Sequence, residues 1–302
     1  MSFEGRIAVS SDVAVGFPFY HPKRAVELYE SVGLTKFGVE VVPLLRGTLM
    51  LAMASIDGNT LPEGFNMEGE HGKMGSLPHM LDHGKGIFDY SKIKALDLLL
   101  HVHPWLGVDL EKMAREMGHP VYHNIHHEMV AYSEKAYLHY LKRFMPLKDV
   151  LLVVENGPTK NGVALTYAAV ERYNNDGLLA KANIDVLHAA IECNNYDDSF
   201  TGVQRVWGRV LDSIRPGTRQ IHFPIGLVDN LPIDEMIEEK NMIIDLVQKL
   251  RDVGVELVIF ENQHGWFTGI WGAERIRLGR IIQELVELGL INESYYSRYH
   301  GQ

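Results

Sequence analysis

Acidic side chains and one histidine stand where short apolar runs of this sequence come to an end. Glu155 follows LLVV, Asp185 follows ANI, Glu261 follows LVIF, and His222 closes RQIH. A carboxylate at the end of a buried strand is costly unless a cation or several hydrogen bonds compensate it. Carboxylates and imidazoles are ligands for Mn²⁺, Zn²⁺, Co²⁺ or Fe²⁺. These residues therefore predict a divalent-metal site, with a structural ion pair to arginine as the alternative for each glutamate.

The sequence contains 15 histidines, and several more of them lie near predicted strand ends. His101 and His103 would share one face of a strand, because residues two apart point the same way. Pro104 instead suggests that the strand ends there and leaves His103 in a loop. Each candidate histidine has a structural alternative, as a hydrogen-bonded residue of the core or of a loop. For a candidate aromatic residue the alternative is packing in the core. The candidates for binding substrate or a second metal ion are His188, His103, His123, His264 and Trp105.

The elements that must position these residues alternate between short β-branched runs and helical stretches. About eight βα repeats with no linker between them predict one α/β domain over residues 1–302, a (β/α)8 TIM barrel. An irregular Gly- and His-rich insertion is expected near residues 57–95, and helix stops are expected at Gly254 and Gly289. A doubly wound open sheet is the alternative, but no G-x-G-x-x-G follows the first strand. In a barrel the carboxyl ends of the strands meet at one rim, which would bring the candidate ligands together.

Composition narrows the classes of function. The chain carries 29 basic and 39 acidic residues, a formal net charge of −10, which argues against a nucleic-acid partner. Its one cysteine, Cys193, excludes an intramolecular disulfide framework and a cysteine-rich metal site. The N-terminus lacks a secretory pattern, and no apolar run reaches the roughly 18 residues that a membrane span needs. We expect a cytoplasmic protein without a membrane partner, and a homo-oligomer is left open.

The order of these residues resembles the xylose isomerase-like TIM barrel superfamily, which includes sugar-phosphate isomerases and epimerases and the endonuclease IV family. Glu155, Asp185 with His188, His222 and Glu261 follow one another at spacings of roughly 30 to 40 residues, room for one βα unit each. The resemblance to the epimerases implies one divalent ion held by Glu155, Asp185, His222 and Glu261. It further implies that the two glutamates move a proton on a sugar or related polyhydroxy carbonyl compound, and that His188 contacts a substrate hydroxyl.

Two other functions are alternatives to the isomerase or epimerase. The first is an endonuclease IV-like multi-metal phosphoesterase, in which His103 or His101 and His123 or His126 would help to hold further ions. That family has an Asp-x-His pair where this chain reads GLVDNLPID, with Asp229 present and the histidine absent. The second is a metal-stabilised interaction module without catalysis. The sequence favours the metal-dependent isomerase or epimerase.

Overall fold

The computed structural model describes residues 2–10, 15–16, 19–20, 22–40, 121–126, 150–157, 159–194, 200–224, 240–261 and 272–300. The predicted insertion near residues 57–95 lies outside these residues, as do the candidates His103, Trp105 and His264. The prediction of a single domain stays a prediction.

The described chain alternates strands with helices over its second half, as the sequence predicts. The strands are β1 (Arg6–Ser10), β2 (Val15–Gly16), β3 (Phe19–Tyr20), β4 (Gly38–Glu40), β5 (Val121–His126), β6 (Val150–Glu155), β7 (Ala180–Asp185), β8 (Thr218–Pro224) and β9 (Leu257–Glu261). The helices are α1 (Pro22–Ser31), α2 (Gly162–Asn175), α3 (Val186–Cys193), α4 (Phe200–Ser213), α5 (Lys240–Val253) and α6 (Gly272–Glu287), followed by a 3₁₀ turn over Glu293–Tyr295. Among the described helices, none has both the length and the apolar character needed to cross a bilayer.

Seven of the described strands form one parallel sheet in the order β4-β1-β9-β8-β7-β6-β5, and β2 and β3 form a separate antiparallel pair. The first strand, β1, pairs with β4 on one side and with the last strand, β9, on the other. All other neighbours in this sheet follow chain order. A doubly wound sheet does not place its first and last strands side by side in this way, whereas a (β/α)8 barrel does. The predicted barrel class is therefore confirmed.

The two faces of the sheet carry separate apolar clusters because successive strand residues point to opposite sides. Ile7, Val9, Val258 and Phe260 pack with the helices, and the Phe223 and Phe260 rings meet edge to face at 6.0 Å. A second cluster fills the opposite, inner face of the sheet and consists of Ala8, Val153, Leu257 and Ile259, with Leu151 packed against it. On β6 and β9 the next inner positions after this cluster, at the carboxyl ends of the strands, are the predicted site residues Glu155 and Glu261.

Two helix ends follow from single glycines. Gly254 has φ +77° and Gly289 has φ +80°, a left-handed conformation that costs a glycine little because it has no Cβ. Gly254 follows α5 directly, and its N–H donates to the carbonyl of Leu250 at 3.0 Å. The helix stops predicted at these two residues are confirmed.

Candidate metal centre

The predicted metal ligands lie at the carboxyl ends of four neighbouring strands. Glu155, Asp185 and Glu261 are the last residues of β6, β7 and β9, and His222 lies two residues before the end of β8. Each of these residues is at most 2% exposed. The structure therefore buries three carboxyl groups and an imidazole at one rim of the sheet, although their role as ligands stays a prediction.

A β-bulge between β7 and β8 determines which face His222 presents. Ala182 pairs with Thr218 but Asn183 pairs with Gln220, so one extra residue, Arg219, is accommodated on β8. Such a bulge reverses the alternation of the strand beyond it. As a result His222 is in register with Asp185 and on the inner face. Without the extra residue, Ile221 would be in register with Asp185, and His222 would lie on the outer face.

One imidazole contacts two of the carboxylates. His222 Nδ1 lies 2.9 Å from Glu261 Oε1 and 3.3 Å from Glu155 Oε1. Ligand atoms of Glu155, Asp185 and His222 all lie within 4.8 Å of one another. Two ligands at about 2.0–2.2 Å from one ion are separated by up to about 4.4 Å, so this grouping is close to coordination distances. The donor set of carboxylates and imidazole suits Mn²⁺, Zn²⁺, Co²⁺ or Fe²⁺.

Asp185 has a structural role in the fold, since it caps the N-terminus of α3. Its Oδ1 accepts a hydrogen bond from the His188 backbone N–H at 2.8 Å, which satisfies a donor that the helix leaves unpaired. Its own N–H donates to Asn156 Oδ1 at 2.8 Å. The His188 ring contacts the same two residues. Its Nδ1 lies 3.2 Å from Asp185 Oδ2 and 3.0 Å from the Asn156 carbonyl oxygen. His188 is thus held against Asp185 at the rim.

Electrostatics at this rim favour a cation. Burial raises the pKa of Asp185 from 3.8 to about 6; the charge of His188 opposes the rise, while the charges of Glu261 and Glu155 add to it. Three carboxyl groups so close together repel one another when ionised, and a divalent ion among them would reverse that effect. The buried donor set therefore fits a metal ion.

The raised pKa of Asp185 predicts a pH-dependent stability of the metal-free protein. The folded state holds this proton more tightly than the unfolded state, so stability falls as pH rises from about 4 to 6, and the loss persists at higher pH. We expect Asp185→Asn to be more stable than the wild type at pH 8 by on the order of 1–3 kcal/mol, and less so at pH 4.5. Asparagine preserves the helix cap. Denaturant unfolding of chelator-treated protein measures this, and an asparagine variant that is less stable at pH 8 would contradict it.

Three buried polar residues at this rim were not expected to take part in the site. Asn156, Asn183 and Gln220 are fully buried. Asn183 and Gln220 stand two residues before Asp185 and His222, and Asn156 directly follows Glu155. The sequence contained a signal for Asn183 and Gln220. Strand residues two apart share a face, so a polar residue two positions before a predicted ligand lies on the same face as that ligand.

The register of β5 bears on the early histidines. His126 ends β5 in register with Glu155, whereas His123, the predicted candidate, is in register with Leu152. The backbone thus brings His126, and not His123, beside a predicted metal ligand.

No protein-family model matches the chain, and no curated protein matches it. Solved structures similar to it include a xylose isomerase domain-containing protein from Salmonella typhimurium (TM-score 0.44, 12% identity, covering 96% of this chain and 99% of that one). Endonuclease IV from Thermus thermophilus has a TM-score of 0.44 and 17% identity, covering 94% and 99% of the two chains. The catalytic domain of a chitinase from Pyrococcus furiosus has a TM-score of 0.41 and 11% identity, covering 93% and 96%. The barrel fold is assigned from the strand order of the sheet, in which β1 pairs with β9.

Proposed function

We propose that this protein is a divalent-metal-dependent isomerase or epimerase acting on a sugar or a related polyhydroxy carbonyl compound. One observation carries the proposal: His222 joins Glu155 and Glu261 through contacts of 3.3 and 2.9 Å, beside Asp185, at the buried carboxyl rim of the sheet. Active sites of (β/α)8 barrels lie at this rim. A small polyhydroxy substrate needs only such a rim, whereas an acidic chain of net charge −10 is poorly suited to a long phosphate backbone.

The four side chains have separate tasks in this proposal. Glu155, Asp185, His222 and Glu261 would hold the ion, which when bound supplies polarisation of the substrate's carbonyl and hydroxyl oxygens. Glu155 and Glu261 also act as the base and the acid: one, ionised, takes a proton from the carbon beside the carbonyl, and the other, protonated, delivers its proton to carbon. Their burial excludes bulk water from that exchange. His188, held against Asp185, would contact a substrate hydroxyl.

Solvent deuterium tests the proposed reaction. Metal-loaded protein is incubated in D₂O with a panel of ketoses, and mass spectrometry follows the label. We expect one carbon-bound deuterium in the reacting sugar, because the carboxyl group that delivers the proton is not the one that removed it and takes its own proton from solvent between turnovers. Product formation without label, or no turnover on the panel together with cleavage of an abasic-site duplex, would contradict the proposal.

An endonuclease IV-like phosphoesterase with several metal ions is the second candidate, and the position of His126 favours it. This histidine ends β5 in register with Glu155, so the backbone places a further histidine at the carboxyl ends of the strands. Native mass spectrometry of the wild type and of His103→Ala, His123→Ala and His126→Ala separates the two functions. We expect one ion per chain in all four proteins. Two or three ions in the wild type, with fewer in a histidine variant, would move the phosphoesterase ahead.

A further inference from the structure

A layer of amides lies directly beneath the candidate metal ligands. Asn183 of β7 and Gln220 of β8 are fully buried and in register with each other on the inner face. Their neighbours on the inner face are apolar: Leu257 is in register with Gln220, and Val153 lies two residues before Glu155 on β6. Burying an amide among apolar side chains is costly unless it makes hydrogen bonds. The burial of these two amides is therefore expected to be compensated by a specific interaction.

Asn183 makes a specific contact with one oxygen of a predicted ligand. It is in register with Glu155, and its Nδ2 donates to Glu155 Oε2 at 3.3 Å. The other oxygen, Oε1, is the one that lies 3.3 Å from His222 Nδ1. The two oxygens of Glu155 are thus divided between the amide layer below and the predicted ligands beside it.

We propose that Asn183 is a positioning residue for the metal centre, acting through Glu155; this rests on the metal site of the proposed function. The terminal torsion of a glutamate is soft, so an unrestrained carboxylate turns readily. Repulsion from Asp185 and Glu261 would favour such a turn in the metal-free protein. The Asn183 amide holds Oε2 and so keeps Oε1 directed at the position of the ion. Hydrogen bonds from outside the ligand set commonly change metal affinity by about 10–100-fold.

Gln220 is a matched control for Asn183. It has the same side-chain chemistry, the same burial and the neighbouring position in register. In the described part of the chain, neither polar atom of Gln220 has a hydrogen-bond partner. Replacing either residue by leucine removes a buried amide from the same layer, but only Asn183→Leu removes a bond to a predicted ligand.

Chelator competition with Mn²⁺ and with Zn²⁺ tests the proposal without any enzyme assay. We expect Asn183→Leu to raise the metal Kd by about tenfold or more and Gln220→Leu by less than about threefold. A double-mutant cycle distinguishes positioning from a general effect on the fold. If Asn183 acts through Glu155, adding Asn183→Leu to Glu155→Gln changes the Kd by less than about twofold. Asn183→Ala is measured in parallel and decides the matter if the leucine variant does not fold.

The outcomes separate this inference from the proposed function. A wild type that binds metal, together with an unchanged Kd in Asn183→Leu or in Asn183→Ala, overturns the positioning role alone. Equal losses in the Asn183 and Gln220 variants, or a full loss in the Glu155→Gln background, overturn it as well. A wild type that binds neither ion overturns both the metal centre and this inference.

Discussion

Glu155→Gln and Glu261→Gln should each lower kcat by about 10³-fold or more while the chain stays folded. Each glutamine loses a ligand charge and the ability to accept or release a proton, and acid–base catalysis alone commonly contributes about 10²–10⁴-fold. The metal-free variants should melt close to the wild type or above it, because each removes one of several crowded, buried carboxylates. Steady-state kinetics on the sugar identified by deuterium labelling, with thermal unfolding of chelator-treated protein, measures both effects.

Glu256→Gln is the control for these two substitutions. Glu256 directly precedes β9, at the opposite end of that strand from Glu261, and pairs with Arg219 at 2.6 Å while 45% exposed. Ion pairs on the surface contribute little, so kcat should stay within about twofold of the wild type. A large loss of metal-free stability in both site variants would instead favour structural ion pairs at the rim.

The second large effect concerns metal occupancy in His222→Ala and Asp185→Asn. His222 contacts both glutamates, so its removal takes away a ligand and the group that holds two others in place. Asp185→Asn retains the shape and the helix cap but removes a charge that attracts the ion. We expect the metal Kd to rise by more than about 100-fold in each, beyond the range seen for residues outside the ligand set.

Elemental analysis after dialysis against a weak chelator measures this occupancy. The wild type should retain at least one divalent ion per chain, and removing that ion should lower its melting temperature, because a ligand that binds only the folded state stabilises it. Asp252→Asn is the control, since Asp252 is an exposed carboxylate that accepts a hydrogen bond from Gln248 at 2.7 Å on α5. Full occupancy in both site variants would remove His222 and Asp185 from the centre.

Local signals in the sequence were sufficient for the elements and for the types of residue at their ends. The alternation of β-branched and helical stretches predicted the barrel, and Gly254 and Gly289 predicted where helices stop. Both are properties of a few neighbouring residues and of backbone torsions, which a sequence states directly. The boundary between β7 and α3 has no such local signal, because a short apolar run suits a strand or a buried helix equally.

Only the tertiary structure decided how those residues meet. Asp185 ends β7 and begins α3 because its side chain finds the backbone N–H of His188. The bulge at Arg219 brings His222 into register with Asp185, and the register of β6 with β7 places Asn183 against Glu155. A one-residue shift between strands exchanges inner for outer faces, and nothing in either strand alone encodes it. The sequence by itself therefore determined which chemical groups reach the rim, whereas the pairing of distant strands determined which of them touch.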